Sequence, residues 1–139
     1  MAKPDFTGTW EFNSSRSALQ IPAPESSVFV IEHREPDFYL ERTHVFGESS
    51  DTFAIALTTD GKDVVCNHRG MEIRARLYWE GETLVCDSIF DLEGAQITNV
   101  VRYGIADEGQ TFIAEERLRS REHNHENKWV FDRRLQGRT

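Results

Sequence analysis

Residues 53–68 read FAIALTTDGKDVVCNH, two runs of alternating residues on either side of the pair Asp60-Gly61. Because successive side chains of a β-strand point to opposite faces, one face of the first run carries its bulky residues and the other carries Ala and Thr. An Asp-Gly pair between two such runs is typical of a two-residue hairpin turn. The stretch therefore predicts an antiparallel hairpin with its bulky face buried. The expected facing pairs are Phe53 with His68, Ile55 with Cys66, and Leu57 with Val64.

The same alternation continues along the chain between short turns rich in Gly, Asp and Asn, and no helical pattern interrupts it. A meander of antiparallel strands leaves two long exposed edges unless the sheet closes on itself. We therefore expect an all-β fold, a single antiparallel up-and-down β-barrel that forms one domain over residues 1–139. Its ten strands are expected near 6–13, 27–34, 38–46, 51–59, 63–69, 72–79, 83–92, 95–106, 110–121 and 127–135.

Residues 14–26 read SSRSALQIPAPES and break this pattern. Pro22 and Pro24 exclude a regular strand or a long helix there, so we expect an extended loop with one helical turn at its start. Two roles are open for this loop: a lid over one mouth of the barrel, or a plain surface connection.

The charge of the chain limits its partners. A net charge of −8 argues against nucleic acid or an anionic membrane as the main partner, because both need a basic surface. The first residues, MAKPDFTG, lack the apolar segment of a secretory signal, and no run approaches the roughly 20 apolar residues of a membrane span. We expect a cytoplasmic protein whose partner is a small molecule; the sequence does not predict its oligomeric state.

A second stretch, LERTHVFG at 40–47, places Arg42 and His44 on the same face as Leu40. With a four-residue connection at 47–50, Arg42 pairs with Ile55 and His44 with Phe53, which turns both cationic groups inward. The pair Glu93-Gly94 likewise predicts that Ser88 faces Asn99 and Cys86 faces Val101. The interior of the barrel is therefore expected to be partly polar.

Ten inward side chains form the candidate ligand-binding site. The polar members are Arg42, His44, His68, Ser88, Asn99 and Glu116. The apolar walls are Trp79, Tyr103, Trp129 and Phe131.

Polar groups at these positions need partners, because burying one unsatisfied costs about 1–3 kcal/mol. One interpretation is a cavity for an amphipathic and acidic molecule, in which the Arg42 guanidinium holds an acidic group. The other is a ligand-free barrel in which Arg42 and Glu116 form an internal ion pair.

Catalytic and metal chemistry are alternatives for the same residues. His44, His68 and Glu116 could exchange a proton with a bound substrate, as an isomerase or cyclase requires, although no sequence motif demands it. Cys66 and Cys86 lie on the first and third of three successive strands, too far apart for a disulfide, so free thiols are expected. No tight spacing of metal ligands and no Gly-rich phosphate loop is present, so we expect neither a metal site nor a cofactor.

The segment FTGTW at 6–10 carries a family resemblance. A Gly-x-Trp motif on the first strand of a ten-stranded meander resembles the calycin superfamily of lipocalins and fatty-acid-binding proteins, and most of all small uncharacterised bacterial lipocalin-like domains. The resemblance implies that Trp10 packs at the closed end of the barrel and that the lumen binds an apolar or amphipathic molecule. The chain reads KWVFDRRL on its last strand, without the Arg-x-Tyr pair of the fatty-acid-binding proteins, so the anion-binding pair of those proteins is not carried over.

Overall fold

The computed structural model describes residues 3–134, and these form ten antiparallel strands, as the sequence predicts. The strands are β1 (Gly8–Phe12), β2 (Ser26–Arg34), β3 (Asp37–Phe46), β4 (Ser49–Thr58), β5 (Val64–His68), β6 (Met71–Glu80), β7 (Thr83–Leu92), β8 (Ala95–Ala106), β9 (Thr111–Arg119) and β10 (Asn124–Arg133). The end of the tenth predicted strand, at residue 135, lies outside the described residues.

The strands form one sheet in the order β4-β3-β2-β1-β10-β9-β8-β7-β6-β5. The first and last strands pair through Trp10 with Arg133, Glu11 with Asp132, and Phe12 with Phe131. This ladder curls the meander into a barrel. Its two edge strands, β4 and β5, come together without a hydrogen-bonded ladder among the described residues, and we call this junction the seam.

The predicted hairpin between β4 and β5 is therefore wrong. The backbone N–H of Gly61 donates to Leu77 O at 2.8 Å, and Asp60 forms an isolated bridge with Tyr78, so the Asp-Gly pair is hydrogen-bonded to β6. The Asp60 carboxylate accepts from the Thr58 hydroxyl and from the Lys62 N–H. These local hydrogen bonds stabilise a loop between β4 and β5 in place of a two-residue hairpin turn. The bulky stripe Phe53, Ile55 and Leu57 still points inward.

The register between β3 and β4 also differs from the prediction, by two residues. Gly47 and Glu48 form the whole turn, so Arg42 lies opposite Phe53 and His44 lies opposite Asp51. A shift of two residues leaves every side chain on its predicted face. The register between β7 and β8 is confirmed, with Ser88 opposite Asn99 and Cys86 opposite Val101.

Aromatic side chains close one end of the barrel. Trp10 is fully buried there, and its Nε1–H donates to Phe6 O at 3.0 Å. Phe6 comes from the segment before β1 and packs against the rings of Tyr103 and Phe112. The guanidinium of Arg133 lies over the Trp10 ring, 4.3 Å from its centroid. This end is packed with side chains, so the open space lies toward the other end.

The loop between β1 and β2 runs along the opposite, open end. It begins with a single 3₁₀ turn, Ser14–Arg16, which confirms the predicted helical turn. Beyond it, Ala18 pairs with Lys128, and the N–H of Gln20 donates to the buried Asn127 side chain at 2.7 Å. The loop is thus fastened to β10. A role as a lid stays a prediction.

The helical segments among residues 3–134 are two turns of three residues each. None of them has the length and apolar character that a membrane-crossing helix requires.

Candidate ligand-binding cavity

A cavity of about 240 Å³ lies inside the barrel, between the aromatic end and the open end. This volume accommodates several water molecules or a small organic molecule, and it lies just below the roughly 300–1,000 Å³ that is typical of ligand sites. Most of its wall is apolar, contributed by β2, β3, β4 and each strand from β6 to β10. The polar side chains in the wall come mainly from the half of the barrel nearer the open end.

Eight of the ten predicted site residues line this cavity: Arg42, His44, His68, Ser88, Asn99, Tyr103, Glu116 and Trp129. Each of them lies on the inward face, which alternation alone determines, and their role in ligand binding stays a prediction.

Trp79 and Phe131 do not line the cavity, which corrects the prediction for both. They lie deeper, within the aromatic packing. The Trp79 indole stacks on Phe6 at 6.3 Å, and its N–H donates to Glu35 at 3.1 Å. Phe131 is fully buried, 4.6 Å from the ring of Phe29. Their strands carry both residues past the floor of the cavity toward the closed end.

Arg42 pairs with Asp51, not with Glu116, so the predicted internal ion pair is wrong. Arg42 Nη2 lies 3.2 Å from Asp51 Oδ2, Asp51 also accepts from His68 Nε2 at 3.0 Å, and Arg69 Nε forms an ion pair with Asp51 Oδ1 at 2.8 Å. The remaining face of the guanidinium rests on the Phe53 ring at 5.2 Å. Despite the desolvation that opposes it, the charges of His68, Arg69 and Arg42 hold the pKa of Asp51 below its usual value.

The Asp51 cluster also crosses the seam. Asp51 lies on β4, whereas His68 ends β5 and Arg69 begins the turn to β6. Arg69 Nη2 additionally donates to Ser50 O at 3.3 Å. Side-chain hydrogen bonds thus join the two edge strands near the open end, where a backbone ladder is missing among the described residues.

Glu116 has a separate set of partners on the opposite wall. Its carboxylate accepts from Trp129 Nε1 at 2.9 Å, from Asn99 Nδ2 at 2.9 Å, and from Asn127 Nδ2 at 3.1 Å. All three donors are neutral, so hydrogen bonds rather than a cation stabilise this carboxylate.

His44 is held by Ser27 and by Trp129. Its Nδ1 lies 2.8 Å from the Ser27 hydroxyl, which is itself buried, and its ring stacks on the Trp129 indole at 5.4 Å. Burial lowers the pKa of His44 to about 4, assisted by the positive charge of Arg42 and opposed by Asp51. His44 is therefore a neutral imidazole near pH 7.

His44, His68 and Glu116 do not form one hydrogen-bonded chain, because each is bonded to a different partner. A proton exchange among them would need a bound molecule to connect them. The Cys86 thiol, which also lines the cavity, is not poised as a nucleophile: burial raises its pKa to about 12, with a contribution from Asp87. Cys66 and Cys86 are both free, as the sequence predicts.

Three partners of the site were missed by the sequence-based prediction: Ser27, Asp51 and Asn127. Each lies two residues before an inward residue of its strand: Phe29, Phe53 and Trp129. Alternation extended by one step toward the open end would have identified all three.

Two buried polar atoms of the cavity wall have no hydrogen-bond partner among the described residues: Arg42 Nε and Asn99 Oδ1. Neighbouring atoms shield both from solvent. Buried polar atoms are normally satisfied, so these two indicate an interior that gains hydrogen bonds when a polar group enters or when these side chains turn.

The fold is shared with several solved structures. Secretory abundant heat soluble protein 4 from Ramazzottius varieornatus superposes with a TM-score of 0.66 at 11% identity, over 97% of this chain and 99% of that one. A fatty acid transporter, REP1-NXSQ, gives 0.64 at 11% identity, over 94% and 97%. Zebrafish ileal bile acid-binding protein complexed with cholic acid gives 0.59 at 14% identity, over 93% and 98%.

No protein-family model matches the sequence, and no curated protein matches it. The similarity is therefore one of structure, and it covers nearly the whole chain. The chain shares its β-barrel fold with these three structures.

Proposed function

We propose that this protein binds a small amphipathic molecule inside the barrel. The observation that carries the proposal is the cavity itself, a mainly apolar space with polar side chains concentrated near its open end. A molecule with an apolar body and one polar end matches this distribution, because its body displaces water from the apolar wall while its end keeps hydrogen bonds.

Two further observations support this proposal. The unpartnered Arg42 Nε and Asn99 Oδ1 give a polar end a donor and an acceptor once these side chains turn toward the cavity. The structural relatives include a fatty acid transporter and a bile acid-binding protein with cholic acid bound, so barrels of this shape hold lipophilic molecules elsewhere.

The contacts of Arg42 bear on whether the ligand is acidic. The Arg42 guanidinium already contacts the Asp51 carboxylate at 3.2 Å. An acidic group would have to displace Asp51 to form the same contact. The contacts of the cavity wall therefore favour an amphipathic ligand without requiring an acidic one.

Isothermal titration calorimetry with ten-carbon amphiphiles, 1-decanol and decanoate, tests the proposal. We expect saturable binding of at least one of them with a negative heat-capacity change, which marks the burial of apolar surface. The variant Ala75→Leu adds bulk inside the cavity and should weaken binding about tenfold, because Ala75 is buried in its wall.

The matched control is Ala54→Leu, the same substitution at an exposed position of β4, which should leave the affinity unchanged. Equal affinities of the two variants, or no binding of either amphiphile to the folded wild-type protein, would contradict the proposal.

A further inference from the structure

We infer that Asp51 makes the cavity selective for amphiphiles whose polar end is uncharged, such as an alcohol or a primary amide, over the carboxylate of the same length. This inference rests on the proposed function and names the ligand class of that site.

The cations of the site are already paired. Arg42 is the only arginine or lysine among the described residues that line the cavity, and the other cation nearby is Arg69 at the seam. Both contact Asp51, Arg42 at 3.2 Å and Arg69 at 2.8 Å, and His68 adds a hydrogen bond at 3.0 Å. A ligand carboxylate would therefore compete with Asp51 for them. Displacing Asp51 would remove three contacts from a partly buried carboxylate, which offsets the gain of the new pair.

The opposite wall carries the Glu116 carboxylate, which has no ion-pair partner within residues 3–134. Its described hydrogen bonds all come from neutral groups, Asn99, Asn127 and Trp129. Arg42 and the exposed Arg69 both contact Asp51, whereas Glu116 lines the cavity without a paired cation among the described residues. A second carboxylate in the same small space is repelled, and the low dielectric of the cavity strengthens that repulsion.

Of the other titratable groups that face the cavity, His68 is already hydrogen-bonded to Asp51, and the remaining three add no positive charge. His44, which lies between the two walls against Trp129, remains neutral near pH 7 because its pKa is about 4. Tyr103 and Cys86 are buried, and burial raises the pKa of both, so they too are neutral. None of the three supplies a positive charge to an acidic ligand.

A neutral polar group finds unused partners in the same cavity. Arg42 Nε is an unused donor and Asn99 Oδ1 an unused acceptor. They lie on β3 and β8, five strands apart in the sheet order and hence on opposite walls. A hydroxyl both donates and accepts, so it forms a hydrogen bond with whichever of the two atoms turns toward it. No charge has to be buried in either case.

The experiment compares 1-decanol with decanoate by calorimetry at pH 7.5, in the wild-type protein and in Asp51→Asn. For the wild type, we expect 1-decanol to bind about tenfold more tightly than decanoate. In Asp51→Asn the Arg42 guanidinium is released, so decanoate should bind roughly ten- to a hundredfold more tightly than to wild type, the range for a hydrogen bond to a charged group. The ratio of the two affinities should therefore shift toward decanoate by at least about tenfold.

Asp63→Asn is the matched control. Asp63 is an exposed carboxylate at a surface pair with Arg74, 3.9 Å away, so its removal changes the net charge equally but leaves the cavity untouched. This variant should retain the wild-type preference. Asp51→Ser provides a second test of the same position, and circular dichroism establishes that each variant is folded.

Equal or tighter binding of decanoate to the wild-type protein would overturn the inference without any variant. An unchanged preference in folded Asp51→Asn or Asp51→Ser would overturn the role of Asp51. By contrast, absence of binding of both amphiphiles to every folded form would refute the proposed function itself, so the two failures are distinguishable.

Discussion

Arg133 shows how one side chain fixes the closed end of the barrel. Its guanidinium lies 4.3 Å above the Trp10 ring, while Nε donates to Gly109 O at 2.8 Å and Nη1 donates to Thr7 O at 3.1 Å. The planar group thus stacks on the indole and ties together two chain segments with its donors. The space it needs is left by Gly8, where an added Cβ would come within 2.6 Å of Arg133 Nη1.

The substitution Gly8→Ala should therefore lower the free energy of unfolding by about 2 kcal/mol, because Gly8 also has a φ of +153°, a conformation that L-residues rarely adopt. Urea denaturation measures this change. Gly104→Ala, on β8 with open space around the new methyl group, is the control and should change the stability by less than about 0.5 kcal/mol. Equal losses of stability in the two variants would show that neither the contact with Arg133 nor the backbone conformation of Gly8 requires glycine there.

His44 should make the stability depend on pH. Its pKa is about 4 in the folded protein because of burial and Arg42, against 6.5 for an unperturbed histidine. The unfolded chain therefore binds the proton first as the pH falls, and the stability decreases from pH 6.5 down to about 4. After an allowance for solvent screening, the expected loss is about 2 kcal/mol.

Urea denaturation between pH 7 and pH 4 tests this dependence, with His44→Gln as the informative variant. The variant should lose most of the pH dependence in that window, whereas His123→Gln, at an exposed turn, should keep it. A wild-type slope retained in His44→Gln would assign the effect to other groups.

Among the strands, the seam between β4 and β5 is joined by side-chain contacts instead of a described backbone ladder. β7 has ladders on both sides, with β6 and with β8, whereas β5 has one described ladder, with β6. Contacts between the edges depend instead on Asp51, His68 and Arg69. Edge strands with unpaired backbone groups open locally at lower free energy than central ones.

Amides of β5 should exchange hydrogen at least about tenfold faster than those of β7, as hydrogen–deuterium exchange followed by mass spectrometry would measure. Removing a contact across the seam with Arg69→Gln should accelerate exchange in β5 by a further twofold or so, since an exposed ion pair contributes little. Arg76→Gln, at a surface pair with Asp87, is the control and should leave β5 unchanged. Equal protection of β5 and β7 would contradict this view of the seam.

The strand pairings near the seam could not be predicted from the sequence. Alternation and turn residues were sufficient to find ten strands and the inward faces, because both are local properties. The partners of Asp60 and Gly61 are not local: they lie on β6, beyond the whole of β5, and no local pattern reports them. The pairing of Arg42 with Asp51 was missed for a related reason. It depends on the two-residue turn at Gly47-Glu48, which brings Asp51 opposite His44.

The depth of the cavity within the barrel also could not be predicted from the sequence. Phe6 belongs to a segment outside the regular strands, and it fills the barrel axis against Trp79, Tyr103 and Phe112. How far this packing extends decides which inward residues line open space, which is why Trp79 and Phe131 were assigned to the wall. The charge of the chain and its inward polar residues were readable from the sequence, but the balance between Asp51, Arg42 and Glu116 required three dimensions.

The ladder between β1 and β10 has a consequence for how the polypeptide reaches this structure. β1 is made first and β10 last, and they meet through residues more than a hundred positions apart. During synthesis on the ribosome, β1 to β4 can assemble only as an open four-stranded sheet. One edge of that sheet, β1, stays unpaired until β10 has been synthesised. Such a distant contact carries a large loop-closure entropy, so closure of the ring is expected to come late and to limit the rate of folding.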